Sequence, residues 1–253
     1  MKSNDIIDKY GLYIIGVVAL LTLFNWYQIS AINVGSPATS GFTINKAFQA
    51  LGTFEKSTSS STSTIKSSTG ELALQVKRTG DDVQDVINSL IPTGTPEWGP
   101  QLGVSYDDPV NSLNVLANLD YAIPTKSLTL EEKQRFVDVG TKISCEFCCS
   151  APAVIDHNGR DLCGCSHAAS FRGLAKYFIK SYPDKYTNEE ILLELTKWKS
   201  LYYPRNMVEK GVALLSNNME LTASGLNDRQ LLSKLSSGDL SNIGQLPSMV
   251  GGC

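Results

Sequence analysis

Five of the six cysteines lie between Cys145 and Cys165. They run Cys145-Glu146-Phe147-Cys148-Cys149, then a spacer, then Cys163-Gly164-Cys165-Ser166-His167. Thiolates packed this densely beside one imidazole form a coordination shell for a thiophilic metal ion. The candidate metal ligands are therefore Cys145, Cys148, Cys149, Cys163, Cys165 and His167. Zinc needs only four of them: Cys145 and Cys148 from the first half, Cys163 with either Cys165 or His167 from the second. Such a closed shell would be structural and contribute folding energy. Copper(I) makes fuller use of the surplus, because adjacent and alternate cysteines suit low-coordinate or polynuclear thiolate sites. An iron–sulfur cluster satisfies the ligand count but suits an outward-facing domain less well. No Cys-x-x-Cys-His occurs, which disfavours a c-type haem.

Two rival chemistries use the same residues. In an oxidising compartment, bridges among the clustered cysteines would staple a surface scaffold, with Cys253 available to the odd one. Alternatively, Cys145-Glu146-Phe147-Cys148 is a Cys-x-x-Cys couple for thiol–disulfide exchange, and a low pKa at Cys145 would favour that reading. Such couples belong after a strand in a βαβ setting, whereas a helix precedes this one. Of the remaining donors, His157 falls at a turn, where a solvated side chain is expected, and Cys253 on a loose tail. No catalytic residue is defensible beyond the cluster itself.

The elements that position the cysteines can be read from turn and cap chemistry. Val154-Ile155-Asp156 and Arg160-Asp161-Leu162 flank His157-Asn158-Gly159, and Asn-Gly is a strong hairpin signal. The order is then knuckle, short β-hairpin, second cysteine pair, helix. This resembles a treble-clef or zinc-ribbon site in architecture, although the second half reads Cys-x-Cys rather than Cys-x-x-Cys. A helix N-terminus beyond Cys165 would favour thiolate charge.

Around this module the pattern is helical. Periodic apolar residues predict a helix within Glu71 to Pro92, and a four-three alternation there also allows an oligomeric stalk. Asp108-Pro109 opens another helix, through Leu119. Thr129 with Glu132, and Thr187 with Glu190, are capping boxes for two more. Phe171, Leu174, Ala175, Phe178 and Ile179 form one apolar helical face. Arg172, Lys176 and Lys180 sit on another, which reads as a solvated surface. Pro204 restarts a helix to about Leu215, a short one follows near Asp228 to Leu235, and 246–253 reads as a loose tail.

The other end of the chain points to a membrane. No charged side chain occurs from Tyr10 to Asn45, and the apolar run from Leu12 to Ile32 reaches about 20 residues, enough to span a bilayer. Trp26 and Tyr27 suit the interfacial belt, while Lys2 and Lys9 put the N-terminus inside. An uncleaved anchor is favoured over a signal peptide, because bulky residues follow the run directly. A Ser/Thr-rich stretch from Lys56 to Gly70 reads as a flexible tether. Net charge of -3 and the lack of a basic tract with aromatics argue against nucleic acid. No Walker, dinucleotide-binding or Gly-x-Ser-x-Gly signature is present.

The expected organisation is thus a membrane anchor (1–32), a tether (33–70), a helical segment (71–125) and a helical Cys/His metal-binding domain (126–253). The fold class is mainly α, with an N-terminal transmembrane helix and a small Cys-rich hairpin module. The strings Cys145-Glu-Phe-Cys-Cys149, Asp156-His-Asn-Gly159, Cys163-Gly-Cys-Ser-His167 and Phe171-Arg-Gly-Leu-Ala-Lys-Tyr177 resemble those of an uncharacterised group of membrane-anchored archaeal proteins. The similarity runs from about Ser144 to Met207. It implies a shared metal-type motif and carries over no mechanism. The function expected is a single-pass cell-membrane protein with an extracytoplasmic zinc or copper site, structural or metal-handling. Its protein partner or self-association is left open.

Overall fold

A computed structural model describes residues 63–68, 70–244 and 246–252. The expected membrane span, most of the tether and Cys253 lie outside these residues. Among the described residues, no helix is long and apolar enough to cross a membrane.

Three short strands, β1 (Thr64–Lys66), β2 (Leu72–Leu74) and β3 (Leu221–Thr222), pair antiparallel in that order. Thr64 faces Leu74 across the first pairing, and Leu74 faces Leu221 across the second. The helices are α1 (Asp82–Leu90), α2 (Pro109–Ala122), α3 (Leu130–Gly140), α4 (Ser166–Ser181), α5 (Asn188–Tyr202), α6 (Pro204–Ser216), α7 (Ala223–Asn227) and α8 (Arg229–Leu232). The described chain is mainly helical, as its periodicity predicts.

Two segments correct the sequence expectation. The helix expected over 71–92 begins only at Asp82, because Gly80 turns the chain at φ +102° and Asp81 caps α1 by accepting from Gln84 N. Upstream of that corner the apolar Leu72–Leu74 stretch is free to pair, and it becomes the central strand. Its edge partner is Thr64–Lys66, a stretch expected to belong to the tether.

Both capping boxes form, at Thr129–Glu132 and Thr187–Glu190, and Asp108 caps α2 with Pro109 at its first position. The core joins helices from both sides of residue 125, since α2 and α4 are the most extensively packed pair. Gly173 permits that approach: a Cβ there would overlap the Leu116 carbonyl oxygen and stand 2.7 Å from Asp120 N. Trp98, Tyr106, Phe178 and Trp198 form an aromatic centre, with Trp98 edge-on to Phe178 at 5.2 Å.

Arg172 and Lys176 are not the solvated row expected of them. They are 3 % and 1 % exposed, and both reach Asp120 on α2 at 2.6 Å. Helix α4 is covered on nearly every side, so its cations are buried and find a buried carboxylate. The 246–252 tail is also docked: Arg205 N donates to Pro247 O and Val250 N to Tyr202 O, at 3.2 and 2.8 Å.

Candidate metal centre

Local backbone bonds explain how the two cysteine halves meet. Helix α3 delivers the chain to Ile143, whose carbonyl accepts from Val154 N at 2.8 Å. The Val154 carbonyl in turn accepts from Leu162 N at 3.1 Å. These two bonds join the chain at Ile143, Val154 and Leu162, and the residues that follow Ile143 and Leu162 bring Cys145 and Cys163 together. The expected hairpin is reduced to one antiparallel bridge, Ile155 to Asp161, closed by Asp156 and Gly159 at φ +78°. A Cβ on Gly140 would stand 2.6 Å from Ile155 Cδ1, so this glycine lets the hairpin seat on the end of α3.

Beyond the hairpin, Cys165 is the N-cap of α4, and its sulfur accepts from Ala168 N at 3.4 Å. The Cys163 carbonyl accepts from Arg172 Nη1 at 2.7 Å, which ties this half of the site to the buried Arg172–Asp120 pair.

All five cysteines converge. The sulfurs of Cys145, Cys163 and Cys165 form a nearly equilateral triangle with edges of 3.5, 3.5 and 3.6 Å. A zinc ion held by four thiolates at ordinary bond lengths separates its sulfurs by ~3.8 Å. Cys148 sits within 4.8 Å of Cys145 and Cys165, and Cys149 within the same distance of Cys145 and Cys163. Cys149 and Cys163 also stand at disulfide-bonding distance, with Cα atoms 6.7 Å apart. Cys163 can bridge to Cys149 or ligate a metal, but one sulfur cannot do both.

Compared with known proteins, the chain matches no family model, no curated protein and no solved structure. Its chemistry has to be read from its own atoms.

The proton distribution is unequal. Cys165 is pulled down to about 3, first by its hydrogen bond with Cys145 and, against burial, by His167, Ala168 N–H and Cys148. Cys145 is pushed well up, by that same bond and by burial. The pair therefore shares one proton, with the charge on Cys165. The low-pKa thiol is the helix-capping Cys165, not the Cys145 that a Cys-x-x-Cys couple would use.

The histidines differ in setting. His167 is fully buried, and its Nε2 lies 2.8 Å from the Val250 carbonyl, which can only accept, so Nε2 carries the proton. Its ring packs tilted against both Tyr202 and Tyr203, with centroids 5.0 Å apart in each pair. The groups of close donors comprise cysteines alone, with His167 beside them. His157 is exposed at the hairpin tip.

Three parts of the site carry no sequence signal: Asp120, the Val250 carbonyl, and the cation group around Glu146. The Glu146 carboxylate lies inside the cysteine motif and is held low by Lys199 and Lys210, against the effect of burial. No local pattern marks these parts, because α4 and α5 carry charged residues among their apolar ones and only packing buries Arg172, Lys176 and Lys199.

Proposed function

We propose that this chain is a single-pass, membrane-anchored, outward-facing metal-binding protein whose Cys145, Cys148, Cys163 and Cys165 hold one zinc ion. The sulfur triangle of Cys145, Cys163 and Cys165 carries this reading. Its edges approach those of a tetrathiolate, and Cys148 is the neighbouring fourth donor. Copper(I) is the alternative ion, since Cys149 adds a fifth soft sulfur at 3.1 Å from Cys145. The metal clips α3, the hairpin and α4 together, or passes to a partner through the exposed Cys149 side. The anchoring and orientation rest on the uncharged run from Tyr10 to Asn45 and on Lys2 and Lys9 before it.

A second reading, thiol–disulfide exchange, is supported by the Cys149–Cys163 pair beside a thiol of low pKa. Elemental analysis with thiol counting separates the two on full-length chain purified with and without reductant. Zinc near one equivalent, kept by Cys149→Ser and lost by Cys163→Ser, supports the metal centre. Protein without metal, whose thiols titrate only after reduction, would sink it in favour of disulfide chemistry.

A further inference from the structure

At Glu146, between Cys145 and Cys148, three cations converge on one carboxylate. Lys199 Nζ lies 2.9 Å from Glu146 Oε1, Lys210 Nζ contacts the same oxygen, and Arg229 Nε is 3.6 Å from Oε2. Lys199 is fully buried and Lys210 largely so, while Arg229 reaches toward solvent. Both lysines also lie over the Phe147 ring, at 5.6 and 4.9 Å. The carboxylate next in sequence to Arg229, Asp228, is engaged in accepting from Gln230 N and Leu231 N at the start of α8.

Two buried lysines face one buried carboxylate, with the solvent-reaching Arg229 beyond it, so the buried group has positive charge in excess. Buried charge without a counter-charge is costly, and one carboxylate cannot balance both lysines. Burial and neighbouring Lys210 push Lys199 down to about 8, while Glu146 and then Cys145 pull it back up. Glu146 and Phe147 are themselves the two residues between Cys145 and Cys148, so both lysines hold the knuckle by its two intervening side chains.

A divalent ion in four thiolates carries two negative charges, the sign of charge that the buried lysines lack. We infer that Lys199 and Lys210 are counter-ions of a dianionic four-thiolate centre, holding its charge from α5 and α6 without ligating the metal. They are positioning residues, and the inference rests on the metal-centre reading above. Glu146 then orients the lysines and at the same time competes with the thiolates for their charge.

That competition gives variants of opposite sign. Removing a cation should weaken metal binding, whereas neutralising Glu146 should strengthen it. A purely structural ion network would move both in the same direction, because each change breaks the same contacts. The test is zinc affinity of the reduced full-length chain, measured by competition with a chromogenic chelator, with helicity of the metal-free protein recorded in parallel. Lys210→Gln should bind zinc about tenfold more weakly, the scale of a lost partner around metal ligands. Lys210→Arg should restore binding, and Glu146→Gln should bind more tightly than wild type. Wild-type affinity in Lys210→Gln, or weaker binding in Glu146→Gln with helicity retained, would overturn the counter-ion role while leaving the metal centre standing. A wild-type chain that holds no zinc fails the metal reading itself. Should Glu146→Gln lose helicity when metal-free, the Lys210→Gln and Lys210→Arg pair decides alone.

Discussion

The division of labour among the sulfurs is set by their immediate neighbours. Cys165 caps a helix and accepts hydrogen bonds, so it carries charge; Cys145 is buried against it and keeps the proton. Because the pKa of Cys165 is lowered to about 3, its thiolate is already saturated in mildly acidic solution. In the metal-free protein with Cys149 and Cys163 bridged, the fastest alkylation by iodoacetamide should then be independent of pH between about 5 and 8, where an ordinary thiol gains roughly tenfold per unit below its pKa. Mass mapping should place this modification on Cys165, and Cys165→Ser should remove it. A rate climbing steadily toward pH 8.5 would contradict the proton assignment.

Helices α2 and α4 deliver the second half of the site. Their close contact at Gly173 brings Asp120 against both Arg172 and Lys176, and Arg172 in turn holds the Cys163 carbonyl. Removing one partner from a buried ion group leaves uncompensated charge and costs about 3–5 kcal/mol. Asp120→Asn should lower unfolding free energy by that order in urea titration and should loosen metal binding with it. A loss under about 1 kcal/mol, typical of an exposed pair, would mean that this group is solvated in practice. The capping boxes at Thr129 and Thr187 were legible because capping is chemistry within one turn. The strand at Leu72–Leu74 was not, because its partner β3 comes from Leu221–Thr222, far along the chain.

Across the molecule, the cluster is a junction where α3, the hairpin, α4 and the C-terminal tail meet. The tail reaches it through Val250, whose N–H donates to Tyr202 O and whose carbonyl accepts from His167. A metal bound at such a junction stabilises the folded state by mass action, by about 4 kcal/mol when free ion stands a thousandfold above its dissociation constant. Chelation should therefore shift the denaturation midpoint of the reduced protein downward, and restored zinc should return it. An unchanged midpoint on chelation, with a fall under reductant alone, would assign the stapling to Cys149–Cys163 instead.

How far the chain could be read ahead of its fold follows from the range of each interaction. The cysteine cluster, the Asn158-Gly159 turn, the helix starts at Asp108, Thr129 and Thr187 and the mainly helical class all follow from residue type and short spacing. The same local pattern marked Arg172 and Lys176 as a surface row, since periodicity identifies faces but cannot say how many of them are covered. Packing decided that both cations are buried and that, among the described residues, the five clustered cysteines come together with His167 beside them. Lys199 meets Glu146 across 53 residues and Arg172 meets Asp120 across 52. Contacts of that separation leave no periodic trace in a sequence, because they exist only once the apolar faces of the helices have been buried against one another.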